Sequence, residues 1–195
     1  MCGAGYSRDR PQMACSRTVT AGSTPRTLQR AAWGTILFVL LVPGTAIVLG
    51  PWLLTGWRFA PPFLGWALTR WLGVALLVLA LPIFALFCMR FVVEGHGTPA
   101  PIAPTEHLVV GGPFRWVRNP GYVSVVALLI GQALLFARPV LLVYAAVAAL
   151  AFHLFVVLYE EPTLRRQFGA DYEAYCRAVP RWIPRLRPAP RQEQR

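Results

Sequence analysis

Four long stretches of the chain carry no Asp, Glu, Lys or Arg: residues 31–57, 71–89, 119–137 and 139–159. The one imidazole inside them is His153, and the charged residues fall between the stretches and at the two ends. Roughly 20 predominantly apolar residues in a helix cross the hydrocarbon layer of a bilayer, and each stretch meets or approaches that length. Any one of them could be the core helix of a soluble domain. Four of them in 195 residues leave too little polar chain to cover them. The pattern therefore predicts an all-α, polytopic membrane helix bundle of about four transmembrane helices.

Beyond the fourth stretch the pattern changes to one face of a helix. Leu164, Phe168, Tyr172, Tyr175 and Val179 follow one another at steps of four, four, three and four, while Arg165, Arg166, Asp171 and Glu173 fall largely elsewhere. This predicts a C-terminal amphipathic helix lying on the membrane surface or against the bundle. The chain thus divides into a disordered polar tail (1–30), two transmembrane helices (31–89), a region holding a loop, two further spans and the amphipathic helix (90–186), and a loose tail (187–195).

Composition agrees, with 56% hydrophobic and 14% charged residues. All 19 cationic side chains are Arg, and their distribution is one-sided: only Arg58, Arg70 and Arg138 fall at the far ends of the predicted spans. Positive residues in short loops gather on the cytoplasmic side, so both termini are expected there, as an even number of spans requires, and a bacterial inner membrane is the expected location. The net charge of +11 is accounted for by topology and by contact with anionic headgroups, and no groove-reading helix or stacking sheet suggests nucleic acid. Cys2, Cys15, Cys88 and Cys176 lack metal-ligand spacing, and no metal site is expected.

The candidate chemistry lies in two polar segments. In the loop after the second stretch, Gly95-His96-Gly97-Thr98-Pro99 permits a close backbone approach to an anion, although such a pair of glycines also makes an ordinary turn. Further on, Arg118 and Asn119 precede Pro120, which suits the first turn of the third span. At the end of the fourth stretch stands Tyr159-Glu160-Glu161-Pro162. Proline disfavours helix in the residue before it, so a break is expected at Glu161, with a new helix starting through Pro162. The paired carboxylates read equally well as charges favourable to that helix's dipole or as counter-charges for a bound cation. His153, alone in an apolar helix, reads as a hydrogen-bonded structural residue.

Two of these segments resemble the membrane methyltransferase superfamily that includes isoprenylcysteine carboxyl methyltransferases and phospholipid N-methyltransferases. Gly112-Pro113-Phe114-Arg115-Trp116-Val117-Arg118-Asn119-Pro120-Gly121-Tyr122 is similar to its Gly-Pro-Tyr-Arg-x-x-Arg-His-Pro-x-Tyr element. Glu160-Glu161-x-x-Leu164-x-x-x-Phe168-Gly169-x-x-Tyr172-x-x-Tyr175-x-x-x-Val179-Pro180 is similar to its C-terminal pattern. The likeness runs over roughly residues 88–186. It implies an S-adenosylmethionine-dependent methyltransferase acting on a lipophilic carboxylate, amine or thiol, of the isoprenylcysteine carboxyl methyltransferase family, with a phospholipid N-methyltransferase as the alternative and a non-catalytic membrane protein as the rival from another class. It also implies partners among membrane lipids and lipid-like acceptors, and a donor pocket at the cytoplasmic ends of the last spans.

By the same resemblance Gly95, His96, Gly97 and Pro99 lie against the donor, with Asn119, Pro120 and Tyr122 beside it. One of Glu160 and Glu161 meets the donor's ammonium, and Arg118 orients the acceptor, which makes Arg118 and Glu161 the expected catalytic pair. Asn119 departs from the pattern, since many relatives have His there and Asn cannot titrate near neutral pH.

Overall fold

A computed structural model describes residues 33, 37, 41–93, 108 and 110–190. The expectations for the tail 1–30, for Gly95, His96, Gly97 and Pro99, and for residues 191–195 lie outside the described residues. Those residues form only helices and connecting turns. Helix α1 (Gly50–Thr55) continues a π-helical turn at Thr45–Leu49; α2 spans Leu68–Val93, α3 Pro120–Phe136, α4 Pro139–Phe155 and α5 Glu161–Ala178. Short 3-10 turns at Phe63–Gly65 and Gly112–Arg115 lead into α2 and α3.

Burial shows which solvent this bundle fits. The apolar stretch of α2 (Leu68–Arg90) is 11% buried, and that of the helical run from Pro139 to Ala178, which bends at Gly169, is 17% buried. Leu79, Val78, Val143 and Val147 are each at least 60% exposed. Apolar surface on this scale is unsuited to water and suits lipid. These two helices have full spanning length; α3, with 17 residues, lies at the lower limit for a span and is more enclosed by its neighbours.

Helices α2 and α3 touch through glycine. A Cβ on Gly73 would come within 2.7 Å of the Gly131 carbonyl oxygen and of the Leu135 nitrogen, so only hydrogen lets the two backbones meet. Lipid tails are as apolar as leucine, which makes close van der Waals packing between small residues a main source of helix association in a bilayer. We expect Gly73→Val to separate α2 from α3 and lower the thermal midpoint in detergent by several degrees. An unchanged midpoint would show that the crossing tolerates a wider spacing.

Both π-helical turns end two residues before a proline, and this replaces the break expected at Glu161. Proline offers no N–H and its ring crowds the preceding turn. Before Pro51 the widened turn is Thr45–Leu49, closed by the Gly50 N–H on the Thr45 oxygen; before Pro162 it is Val156–Glu160, closed by the Glu161 N–H on the Val156 oxygen. Glu160 and Glu161 both keep right-handed helical angles, so α4 passes into α5 without a break. The chain bends instead at Gly169, where φ is +50° and ψ is −121°.

Inside a bilayer the carbonyls that proline leaves without donors must find others. Around Pro51 they do: Tyr144 Oη donates to the Ala46 oxygen (3.1 Å) and Gln132 Nε2 to the Ile47 oxygen (2.8 Å), which ties α3 and α4 to the first helix.

The ends of the bundle divide as the arginine pattern predicts. At one end Arg70 Nη2 donates to the Ala60 oxygen (2.7 Å) and Arg138 Nε to the Arg58 oxygen (3.0 Å). At the other end the amphipathic face packs as expected: Tyr172, Tyr175 and Val179 are buried with Phe114, and Leu164 and Phe168 pack around them. The chain after α5 is a strap held to the segment before α3. The Arg118 N–H donates to the Pro180 oxygen (2.9 Å), the Arg185 N–H to the Trp116 oxygen (2.9 Å) and the Ala189 N–H to the Arg115 oxygen (2.9 Å). The loose tail expected from residue 187 therefore does not begin there: Ala189 is buried, and its carbonyl also accepts from Arg115 Nε (2.7 Å).

Candidate functional site

The arginine-rich end gathers the six sequence-predicted site residues that lie among the described residues. Pro120 and Gly121 open α3, so Arg118 and Asn119 stand just outside its first turn and Tyr122 just inside it. Glu160 ends the π-helical turn and Glu161 begins α5. Neighbouring positions on a helix point about 100° apart, and the two carboxylates have separate surroundings.

Glu161 is 3% exposed and is the hub of an arginine cluster. Arg181 meets it with two hydrogen bonds, Nε to Oε1 at 2.6 Å and Nη2 to Oε2 at 3.0 Å. Arg118 Nη1 donates to the same Oε1 at 3.2 Å, and Arg165 Nη2 stands 3.7 Å from Oε2. The hydrogen bond to Glu161, which outweighs burial, raises the Arg181 pKa above its ordinary value, so this guanidinium stays charged at any working pH. A buried carboxylate among cations in this arrangement is fully compensated, and its fork geometry with Arg181 fixes the start of the strap.

Glu160 differs. It is half-buried, its Oε2 accepts from the Tyr122 hydroxyl at 3.0 Å, and among the described residues no arginine lies within ion-pair distance. The Tyr122 ring is fixed by Phe152 of α4, centroid to centroid 4.9 Å. Arg118 is 12% exposed; its Nη1 also donates to Cys176 Sγ (2.9 Å), while its buried Nε has no hydrogen-bond partner among the described residues.

Two small cavities, of about 70 and 110 Å³, lie here, and Phe114, Arg118, Asn119 and Glu160 line both. The larger is closed by the Tyr122, Phe152 and Phe87 rings, and the smaller by Tyr172 and Tyr175. One space thus receives both an uncompensated carboxylate and a guanidinium with an unused donor. Such a space suits a ligand with a cationic and an anionic group close together.

Asn119 is buried and directs its amide to the strap, Nδ2 donating to the Arg181 oxygen at 3.2 Å. His153 accepts from Trp182 Nε1 (3.2 Å), which matches the structural role expected of it and adds another strap contact. The residues that the motif reading missed are Arg181, Arg165 and Cys176, the three further contacts of the Arg118–Glu161 pair. Arg181 had one signal, standing directly after the Val179-Pro180 that closes the second motif.

Fold and site together define an all-α membrane protein with a cluster of ionised side chains at the arginine-rich end of its spans. A family model described as phospholipid methyltransferase matches residues 68–171, more than half of the chain, and the protein belongs to that family of membrane methyltransferases. The matched span runs from the start of α2 to just past the bend at Gly169 and contains Arg118, Asn119, Tyr122, Glu160 and Glu161. Comparisons with curated proteins and with solved structures gave no match.

Proposed function

We propose that this protein transfers a methyl group from S-adenosylmethionine to a lipophilic acceptor that reaches the site from the bilayer. The observation that carries the reading is the half-buried Glu160, held by a phenol and by no described cation, in a cavity it shares with Arg118. A carboxylate so placed matches the ammonium of the donor's amino-acid end. When bound, S-adenosylmethionine supplies a methyl group on a sulfonium, activated for in-line displacement.

The chain's own residues position and enclose. Glu160 holds the ammonium, with Tyr122 fixing the carboxylate's orientation. Arg118, itself held by Glu161, turns Nε toward the acceptor's anionic group. Phe114, Phe152 and the Tyr172–Tyr175 pair exclude water, which strengthens both contacts, and alignment of donor with acceptor supplies much of the acceleration. Asn119 holds the strap and takes no proton. Gly95, His96, Gly97 and Pro99 complete the donor side in this reading.

The family match favours a phospholipid amine as acceptor, while the Arg118 donor favours a group carrying a carboxylate or phosphate; an aminophospholipid satisfies both. An amine loses a proton at some stage, whereas a carboxylate acceptor needs no base. Calorimetry on the detergent-purified chain is expected to give saturable heat with S-adenosylmethionine. Labelled donor is then expected to mark an aminophospholipid in preference to prenylated thiol acids and small hydrophobic thiols. Absence of donor binding would favour a non-catalytic membrane protein with this fold, and label on the thiol acid alone would move the acceptor to the isoprenylcysteine class.

A further inference from the structure

The strap after α5 turns apolar side chains outward. Ala189 is buried against the bundle, whereas Ile183 is 78% and Leu186 98% exposed. Pro180, Pro184, Pro188 and Pro190 have no N–H, and the N–H groups of Arg185 and Ala189 are taken by the Trp116 and Arg115 oxygens. A backbone with so few open donors can lie in a poorly hydrated layer at reduced cost. A single exposed leucine on a protein in water means little. What gives these two side chains meaning is their level relative to the spans.

Trp182 fixes that level. Two adjacent residues of the strap grip one helical run at two heights: Arg181 bonds to Glu161, and Trp182 Nε1 donates to His153 Nδ1 at 3.2 Å. His153 stands eight positions before Glu161, about 12 Å farther into the span at 1.5 Å rise per residue. The indole thus reaches inside the uncharged stretch 139–159, below the arginine cluster. Leu154, the next residue of α4, and Leu150, one turn earlier, are 47% and 59% exposed, so this side of α4 faces lipid. An indole with its N–H satisfied and its ring beside such a surface is typical of the boundary between headgroups and acyl chains. From there the strap crosses to the segment before α3, where the Trp116 oxygen accepts from Arg185 and the Trp116 side chain is 40% exposed.

We propose that the strap is an interfacial anchor: Ile183 and Leu186 insert into the acyl boundary of the leaflet on the arginine-rich side, and the bilayer thereby holds the strap down over the Arg118–Glu161 cluster. Continuity with the lipid-facing surface decides the partner. Both side chains follow Trp182 within four residues, between its contact with α4 and the crossing to Trp116, where the lipid shell of the spans begins. The insertion is apolar and needs no particular headgroup. The strap is then fastened from two sides, by Glu161 on Arg181 from within and by lipid on Ile183 and Leu186 from without. The anchor does not rest on the methyl-transfer reading, and its test reads depth and opening alone.

The full chain is reconstituted in phosphatidylcholine nanodiscs with trifluoromethyl-phenylalanine in place of Leu186 or, as a reference, in place of the exposed Asp171 of α5. Fluorine relaxation is measured with dissolved oxygen, which concentrates among acyl chains, and with a nickel chelate, which stays in water. Oxygen is expected to dominate at position 186 and the chelate at position 171. Dominance of the chelate at 186 overturns the proposal. So does screening from both agents, which would mean that protein, from this chain or a second copy, covers Leu186. Opening is read separately by trypsin at the Arg185–Leu186 bond, since proteolysis tracks the population of the opened form. The double variant Ile183→Ser, Leu186→Ser changes only exposed side chains and is expected to be cut roughly tenfold faster than the wild type in the same discs, with helical content unchanged. An equal rate of cleavage would show that protein contacts alone hold the strap and would overturn the anchoring role.

Discussion

Replacing Glu160 by Gln is expected to weaken S-adenosylmethionine binding by roughly 10- to 100-fold while leaving the thermal midpoint close to that of the wild type. A hydrogen bond to a charged group contributes about 1.5–3 kcal/mol, and Gln keeps the shape and the contact with Tyr122 but loses the charge that the donor's ammonium needs. The fold has little to lose, because the described partner of Glu160 is a neutral phenol 3.0 Å away and no described arginine depends on it. Calorimetric titration of the variant checks the first half and thermal unfolding in detergent the second. Unchanged donor affinity would remove Glu160 from the donor's end and leave its half-buried charge without an assignment.

The neighbouring carboxylate gives the opposite result. Glu161→Gln leaves Arg118, Arg181 and Arg165 crowded around a neutral amide. Removing one partner of a buried ion pair costs on the order of 3–5 kcal/mol, and here the lost carboxylate serves Arg118 and Arg181 at once. The expected result is a large fall in stability, with donor binding and transfer falling together because Arg118 and the strap are released. The double variant Glu161→Gln, Arg181→Gln is expected to recover part of the stability, since the closest uncompensated charge is gone; the excess over additivity measures the pair. A stable Glu161→Gln protein that merely fails to bind donor would exchange the roles proposed for the two carboxylates.

The contrast between these two residues shows where reading the sequence stops. Spacing identified a carboxylate pair next to a proline, and likeness to a family assigned one of the two to the donor. Nothing in the order Tyr159-Glu160-Glu161-Pro162 tells which carboxylate faces Tyr122 and which faces three arginines, because the arginines come from positions 118, 165 and 181. The local rule for proline also gave the wrong backbone. It describes the cost of an ordinary α-turn before proline, and the chain avoids that cost by widening the turn to a π-helix, both before Pro51 and before Pro162. That widening keeps α4 and α5 continuous and so brings Glu161 under the strap. The bend appeared at Gly169, where a positive φ costs glycine little.

Properties that depend only on the chain's own periodicity were legible in the sequence by itself: apolar stretches of spanning length, an arginine-poor and an arginine-rich end, the amphipathic face from Leu164 to Val179, and the two motifs that mark the family. Each is a local count or spacing, and solvent preference is summed residue by residue. What only the tertiary structure decided involves groups distant in sequence. The approach of α2 to α3 over Gly73 and Gly131 and the strap from Pro180 to Ala189 lying on residues 115–118 belong to this class. Burial and ion pairing depend on which neighbour arrives from another helix, and for Glu160 and Glu161 those neighbours, and not the residue type, set the difference.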